Sequence, residues 1–120
     1  MTTKTFQKGN VLDWTNGGSA KSAGAVVELK HNVGIALTDI AGSAVGAVAV
    51  EGVFLVAKAT GQAWLQGEKL LWDTSAQKFD YSGATPAAGD IMGAAIAFAA
   101  AASGDTTGYV KLTPGNCTLS

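Results

Sequence analysis

The side chains able to do chemistry are few: one histidine, His31, one cysteine, Cys117, and nine carboxylates. No second histidine or paired cysteine can join His31, so a zinc site is not expected. As a general base, His31 would need a nucleophile and an orienting carboxylate. Glu28 lies three residues earlier, but in a strand that spacing points the two side chains to opposite faces. His31 therefore reads as a turn residue in Leu29-Lys30-His31-Asn32. Cys117 has no partner for an intramolecular disulfide and reads as a free thiol near the end of the chain. A glycosidase-like pair would need two carboxyls across one bond, yet Asp13, Asp39, Asp73, Asp80, Asp90 and Asp105 fall mostly in turns and no pair stands out. Ser103–Gly108 (SGDTTG) lacks the alternating acidic ligands of a calcium loop, and Asp105 is expected to shape that turn through its backbone.

Gly17-Gly18-Ser19-Ala20-Lys21-Ser22 has the look of a phosphate-binding loop. The pattern G-x-x-x-x-G-K-[ST] requires glycine at positions 15 and 20, where this chain has Thr15 and Ala20. A strand pattern follows Lys21, not a helix whose N-terminus would cradle phosphate. No catalytic residue, cofactor-binding residue or metal ligand is assigned, and no enzymatic activity is expected.

The composition agrees with a scaffold. The chain has 120 residues, one domain's worth, with 48% hydrophobic residues, 14% charged and a net charge of −1. That balance argues against disorder and against an electrostatic search for nucleic acid or anionic lipid. All eight basic residues are lysine. Arginine's bidentate fork, favoured in phosphate and base recognition, is missing. Alanine and glycine contribute 22 and 16 positions. Such small residues bury little area each, while ordering each backbone residue costs about 1–2 kcal/mol. Additional burial against other subunits or a partner is therefore expected. The polar start MTTKTFQKGN has no apolar signal region, and Ile91–Ala102 is too short to span a bilayer, so cytoplasmic synthesis and no membrane contact are expected.

The elements that would hold any site read as strands. Residues 1–8 form a polar arm with one aromatic, Phe6, and residues 9–120 a single β domain. Strand patterns cover Asn10–Thr15, Ala25–Leu29, Val33–Thr38, Lys69–Asp73, Gln77–Tyr81 and Tyr109–Thr113, separated by Gly-, Asn- and Asp-containing turns. The apolar run Ala44–Ala57 is too long for one strand of a small domain and should bend at Gly52 or Gly46. Ile91–Ala102 (IMGAAIAFAAAA) carries helix-favouring alanines. Gly93 lies inside it and an N-cap is missing, so Ile91–Ala99 is expected to be a buried strand. Turn signals every 8–12 residues or so suit a sandwich or barrel. The aromatics Trp14, Trp64, Trp72, Phe79, Tyr81 and Tyr109 are expected mainly in the core or a subunit interface. A sugar-stacking platform is the alternative.

Val50-Glu51-Gly52-Val53-Phe54, Lys58-Ala59-Thr60-Gly61 and Trp64…Gly67-Glu68-Lys69…Trp72-Asp73 follow one another at a spacing that resembles a family of small tailed-phage proteins. These are described as capsid cement or decoration proteins, formerly a domain of unknown function. Gly34-Ile35-Ala36-Leu37-Thr38-Asp39, Gly93-Ala94-Ala95-Ile96-Ala97 and the closing Ala101–Gly108 with Val110-Lys111-Leu112 extend the resemblance to roughly residues 6–113. Some relatives carry a recombinase label, for which this chain offers neither a phosphate loop nor arginine.

The resemblance implies an all-β, jelly-roll-like protein that binds outside a shell of HK97-type major capsid protein and works as an oligomer, dimer or trimer, at junctions between capsomers. The virion's outer head surface is the implied location. Lys4, Phe6 and Lys8 of the arm, with Trp14, Trp64 and Trp72, are the candidate capsid or subunit contacts. The competing function is a carbohydrate- or cell-surface-binding β module displayed on the virion.

Overall fold

The computed structural model describes residues 2–120, with ten β-strands and no helix among them. The chain first builds a four-stranded antiparallel sheet from β1 (Val11–Thr15), β2 (Val26–Glu28), β3 (Val33–Ala36) and β4 (Val45–Ala49), in spatial order β1-β4-β3-β2. It then builds a second antiparallel sheet from β5 (Val53–Ala57), β6 (Lys69–Asp73), β7 (Lys78–Asp80), β8 (Ile91–Ala97) and β9 (Thr107–Leu112), in order β5-β9-β8-β6-β7. A short β10 (Thr118–Leu119) pairs with β8. The all-β expectation holds, and the two layers form a small sandwich.

The long apolar run divides where glycine is required. Gly52 has φ +122°, a conformation that a Cβ opposes, and there the chain leaves the first sheet for the second. Gly46, the other candidate for the bend, stays inside β4 opposite Trp14, with Ile40 packed against it. Ile91–Ala97 is a strand, as expected from Gly93, and all but Met92 and Ile96 of its residues are buried. β8 lies centrally, paired with β6 along one edge and with β9 and β10 along the other. β6 and β7, which match the strand patterns Lys69–Asp73 and Gln77–Tyr81, form a hairpin with Asp73 opposite Lys78. β10 has no counterpart in the sequence reading. It continues the line of β9 along β8 after an outward loop at residues 113–117, and two residues leave no periodicity to detect.

The main core lies between the sheets. Val33, Ile35 and Ala49 of the first sheet meet Val56, Trp64, Leu70, Trp72, Phe79, Ile91, Val110 and Leu112. Val27, Ala36 and Val48 face the other way and pack under Ile40, carried back by the loop after β3. Both faces of the first sheet are thus apolar, which accounts for the missing alternation in β3 and β4. The second sheet curls on itself. Lys58, just past β5, forms a parallel bridge with Phe79 of β7, and the Ala59 amide donates to the Phe79 carbonyl at 2.8 Å.

Candidate functional site

Most carboxylates hold turns. The Asp73 carboxylate accepts from the Ser75 and Ala76 amides at 3.0 and 3.1 Å and from the Ser75 hydroxyl at 2.8 Å. Those bonds, the Ala76 amide foremost, keep its carboxyl below the ordinary value. Glu68 accepts from the Ser82 amide and hydroxyl and from the Leu65 amide, and the Ser82 amide is the main cause of its lowered pKa. Asp90, buried, closes the loop before β8 by accepting from the Thr74 and Ala87 amides at 3.0 and 2.9 Å. Asp39 accepts from the Ala23 amide, and Asp105 from the Ala102 amide, the turn role its sequence context suggested. Glu28 takes a different part. From β2 it accepts from the Trp72 indole N–H at 2.7 Å, from the Thr74 hydroxyl and, at 3.4 Å, from the Gln77 amide. It fastens the first sheet to the second.

His31 is exposed in the β2–β3 turn, where its backbone N–H donates to the Leu29 carbonyl at 2.9 Å. Cys117 is half-buried, and its thiol donates to Asn32 Oδ1 at 3.1 Å. Burial pushes that thiol's pKa up, away from the nucleophilic thiolate. Among the described residues no group of three or more His, Cys, Asp or Glu is placed to hold a metal ion.

The six candidate contact residues separate into three environments. Lys4, Phe6 and Lys8 lie on the exposed arm ahead of β1, with Phe6 92% exposed. The arm's side-chain bond to the rest of the chain runs from Gln7 Nε2 to the Val11 carbonyl at 3.1 Å. Trp14 is half-buried on β1 against the cluster under Ile40, at a cleft also lined by Asn16, Lys21, Glu28 and Gln77. Trp64 and Trp72 are inside the molecule. Trp64 donates its indole N–H to the Ala99 carbonyl at 3.1 Å. Trp72 packs against Phe79 with ring centroids 5.0 Å apart. Neither reaches the outside, so these two tryptophans offer no sugar-stacking platform.

Of the exposed apolar side chains that sequence reasoning did not single out, Val53, Leu55 and Phe98 lie on the outward face of the second sheet beside Tyr109, which was expected in the core or an interface; Leu12, Leu37, Val45, Leu65 and Leu119 are exposed as well. The signal available was β5 itself, VFLVA, which has no polar residue for either face. Trp64 and Trp72 fill the core, whereas Tyr109 and Phe98, the latter not among the aromatics singled out, lie outside.

This is a small all-β sandwich that spends most of its carboxylates on turns and buries Trp64 and Trp72. The chain belongs to the phage cement protein family, whose family model matches residues 6–112. No curated protein and no solved structure matches it. Membership makes it a structural protein of the bacteriophage virion, associated with the capsid and serving to stabilise it.

Proposed function

We propose that this protein binds the outer surface of the phage head and ties together neighbouring capsomers of an HK97-type major capsid protein, acting as a dimer or trimer. The observation that carries this reading is the family match across residues 6–112, nearly the whole chain. An oligomer attached at several points gains avidity through effective concentration, so each contact need not be tight. The small net charge of −1 keeps repulsion low between copies crowded on one shell.

The arm, with Phe6 between Lys4 and Lys8, serves in this reading as one capsid-reaching segment. Seven extended residues, 2–8, reach roughly 23 Å at about 3.3 Å per residue, enough to leave the body of the subunit. Cosedimentation with empty expanded heads, together with the mass in solution, tests the function. The full chain is expected to pellet with the heads and to exceed the 12.0 kDa monomer in solution. Deleting residues 2–8 is expected to lower head occupancy while leaving the thermal unfolding transition in place. Equal occupancy without the arm removes it from the binding surface.

A further inference from the structure

Pairing across the second sheet lines up two outward rows. Leu55 of β5 is opposite Tyr109 of β9, and Phe98, one residue past β8, donates its backbone N–H to the Tyr109 carbonyl at 3.0 Å. Val53 is opposite Lys111, Lys111 opposite Ile96, and Ile96 opposite Lys69. Leu55, Tyr109, Phe98 and Val53 are 57, 51, 50 and 44% exposed. The outward face of a half-buried sheet ordinarily alternates to polar residues; here its centre is two aromatics and two aliphatics.

The size and charge of this face both bear on what covers it. A half-exposed Phe or Tyr presents roughly 75–125 Å². With Leu55 and Val53 the apolar centre comes to about 400 Å², half of the roughly 800 Å² that each partner contributes to a standard interface. Ile96 and the stems of the two lysines extend it towards that size. Lys69 and Lys111 are the charged residues in these rows, and Glu51, at the margin, lines a cleft beside Lys111. Two copies set face to face would oppose like charges, so a partner bearing carboxylates suits the face better than a second copy. The arm, Lys4-Thr5-Phe6-Gln7-Lys8, repeats the same chemistry of an aromatic between ammonium groups.

We propose that the outward face of the second sheet, centred on Leu55, Phe98 and Tyr109 and flanked by Lys69 and Lys111, docks on the capsid, against a protein surface apolar at its middle and carboxylate-bearing at its rim. This rests on the cement reading and deepens it. The arm leads into the first sheet and the face belongs to the second, so one molecule presents two separate contacts. Bridging two capsomers requires that much.

The experiment uses the full-length chain and empty expanded heads of its own phage, with cosedimentation over a range of salt and light scattering for solution mass. L55N/Y109S is expected to weaken head binding at least tenfold with its solution mass unchanged. K69E/K111E is expected to weaken binding and to flatten its salt dependence. Both lysines are exposed, so this second variant keeps its core and decides the matter should the first misfold. Undiminished binding by the folded variants overturns the proposal. A fall in solution mass with L55N/Y109S assigns the face to self-association and overturns it as well. Wild-type protein that does not bind heads overturns the cement reading itself, whereas wild-type binding with unaffected variants removes the face alone.

Discussion

Lys58 is 1% exposed, an unusual place for an ammonium group. Its Nζ donates to the Ala59 and Gln62 carbonyls at 2.9 and 2.7 Å and lies 5.3 Å from the Trp64 ring centroid. Two carbonyls and a π-face thus replace part of the water it gives up. K58M keeps the stem and removes the donors, stranding two carbonyls, and is expected to cost about 2 kcal/mol in urea unfolding. Nearby, Gly108 sits against the edge of the Trp64 ring, leaving no space for a Cβ. G108A is expected to displace the indole and cost about 1–3 kcal/mol, with a change in near-ultraviolet circular dichroism. Acid should act through Glu68 and Asp73, whose pKa values are lowered from ordinary values of 4.5 and 3.8. A lowered folded-state pKa gives stability that is full above the ordinary value and is lost as pH falls through the folded one. Between about pH 5 and pH 3 the wild type should therefore lose thermal stability more steeply than E68Q/D73N, by a modest margin because both groups are well solvated.

At the scale of strands, Gly52 decides where one sheet stops and the next begins. Its φ of +122° is strained for any L side chain, and G52V is expected to destabilise by about 1–3 kcal/mol and to raise the aggregation rate by misdirecting β5. That break was legible because fourteen apolar-rich residues could not fit one strand. β8 was legible through Gly93, against the helical preference of its alanines, because burial on both faces outweighs propensity. Apart from β10, which the sequence did not reveal, the other strands were placed to within a residue or two. The outward face was not legible, since a run such as VFLVA does not say which of its residues a neighbouring layer will cover. Trp64 and Trp72 were ambiguous for the same reason: packing anchors and ligand platforms draw on one residue type, and only tertiary position separates them.

Across the whole molecule, 47 × 33 × 24 Å, each sheet is drawn from its own contiguous stretch of chain. The two are joined by one covalent crossing, by the core that Val33, Ile35 and Ala49 share with Trp72 and its neighbours, and by the Glu28 clasp. E28A removes the acceptor for the buried Trp72 indole and is expected to cost about 1–3 kcal/mol. A red-shifted Trp emission before global unfolding would report the sheets loosening ahead of the strands.

That single crossing also fixes how the protein would carry tension. Val11, where the arm joins β1, pairs with Ala49, where β4 leads to the crossing, so both attachments lie at one end of the same antiparallel pair. A pull between the arm and the outer face of the second sheet therefore loads β1 and β4 in the peeling direction, bond by bond, not in shear along their length. The first sheet would yield as a zipper and pay out slack while the second, with β8 held between β6 and β9, keeps its grip.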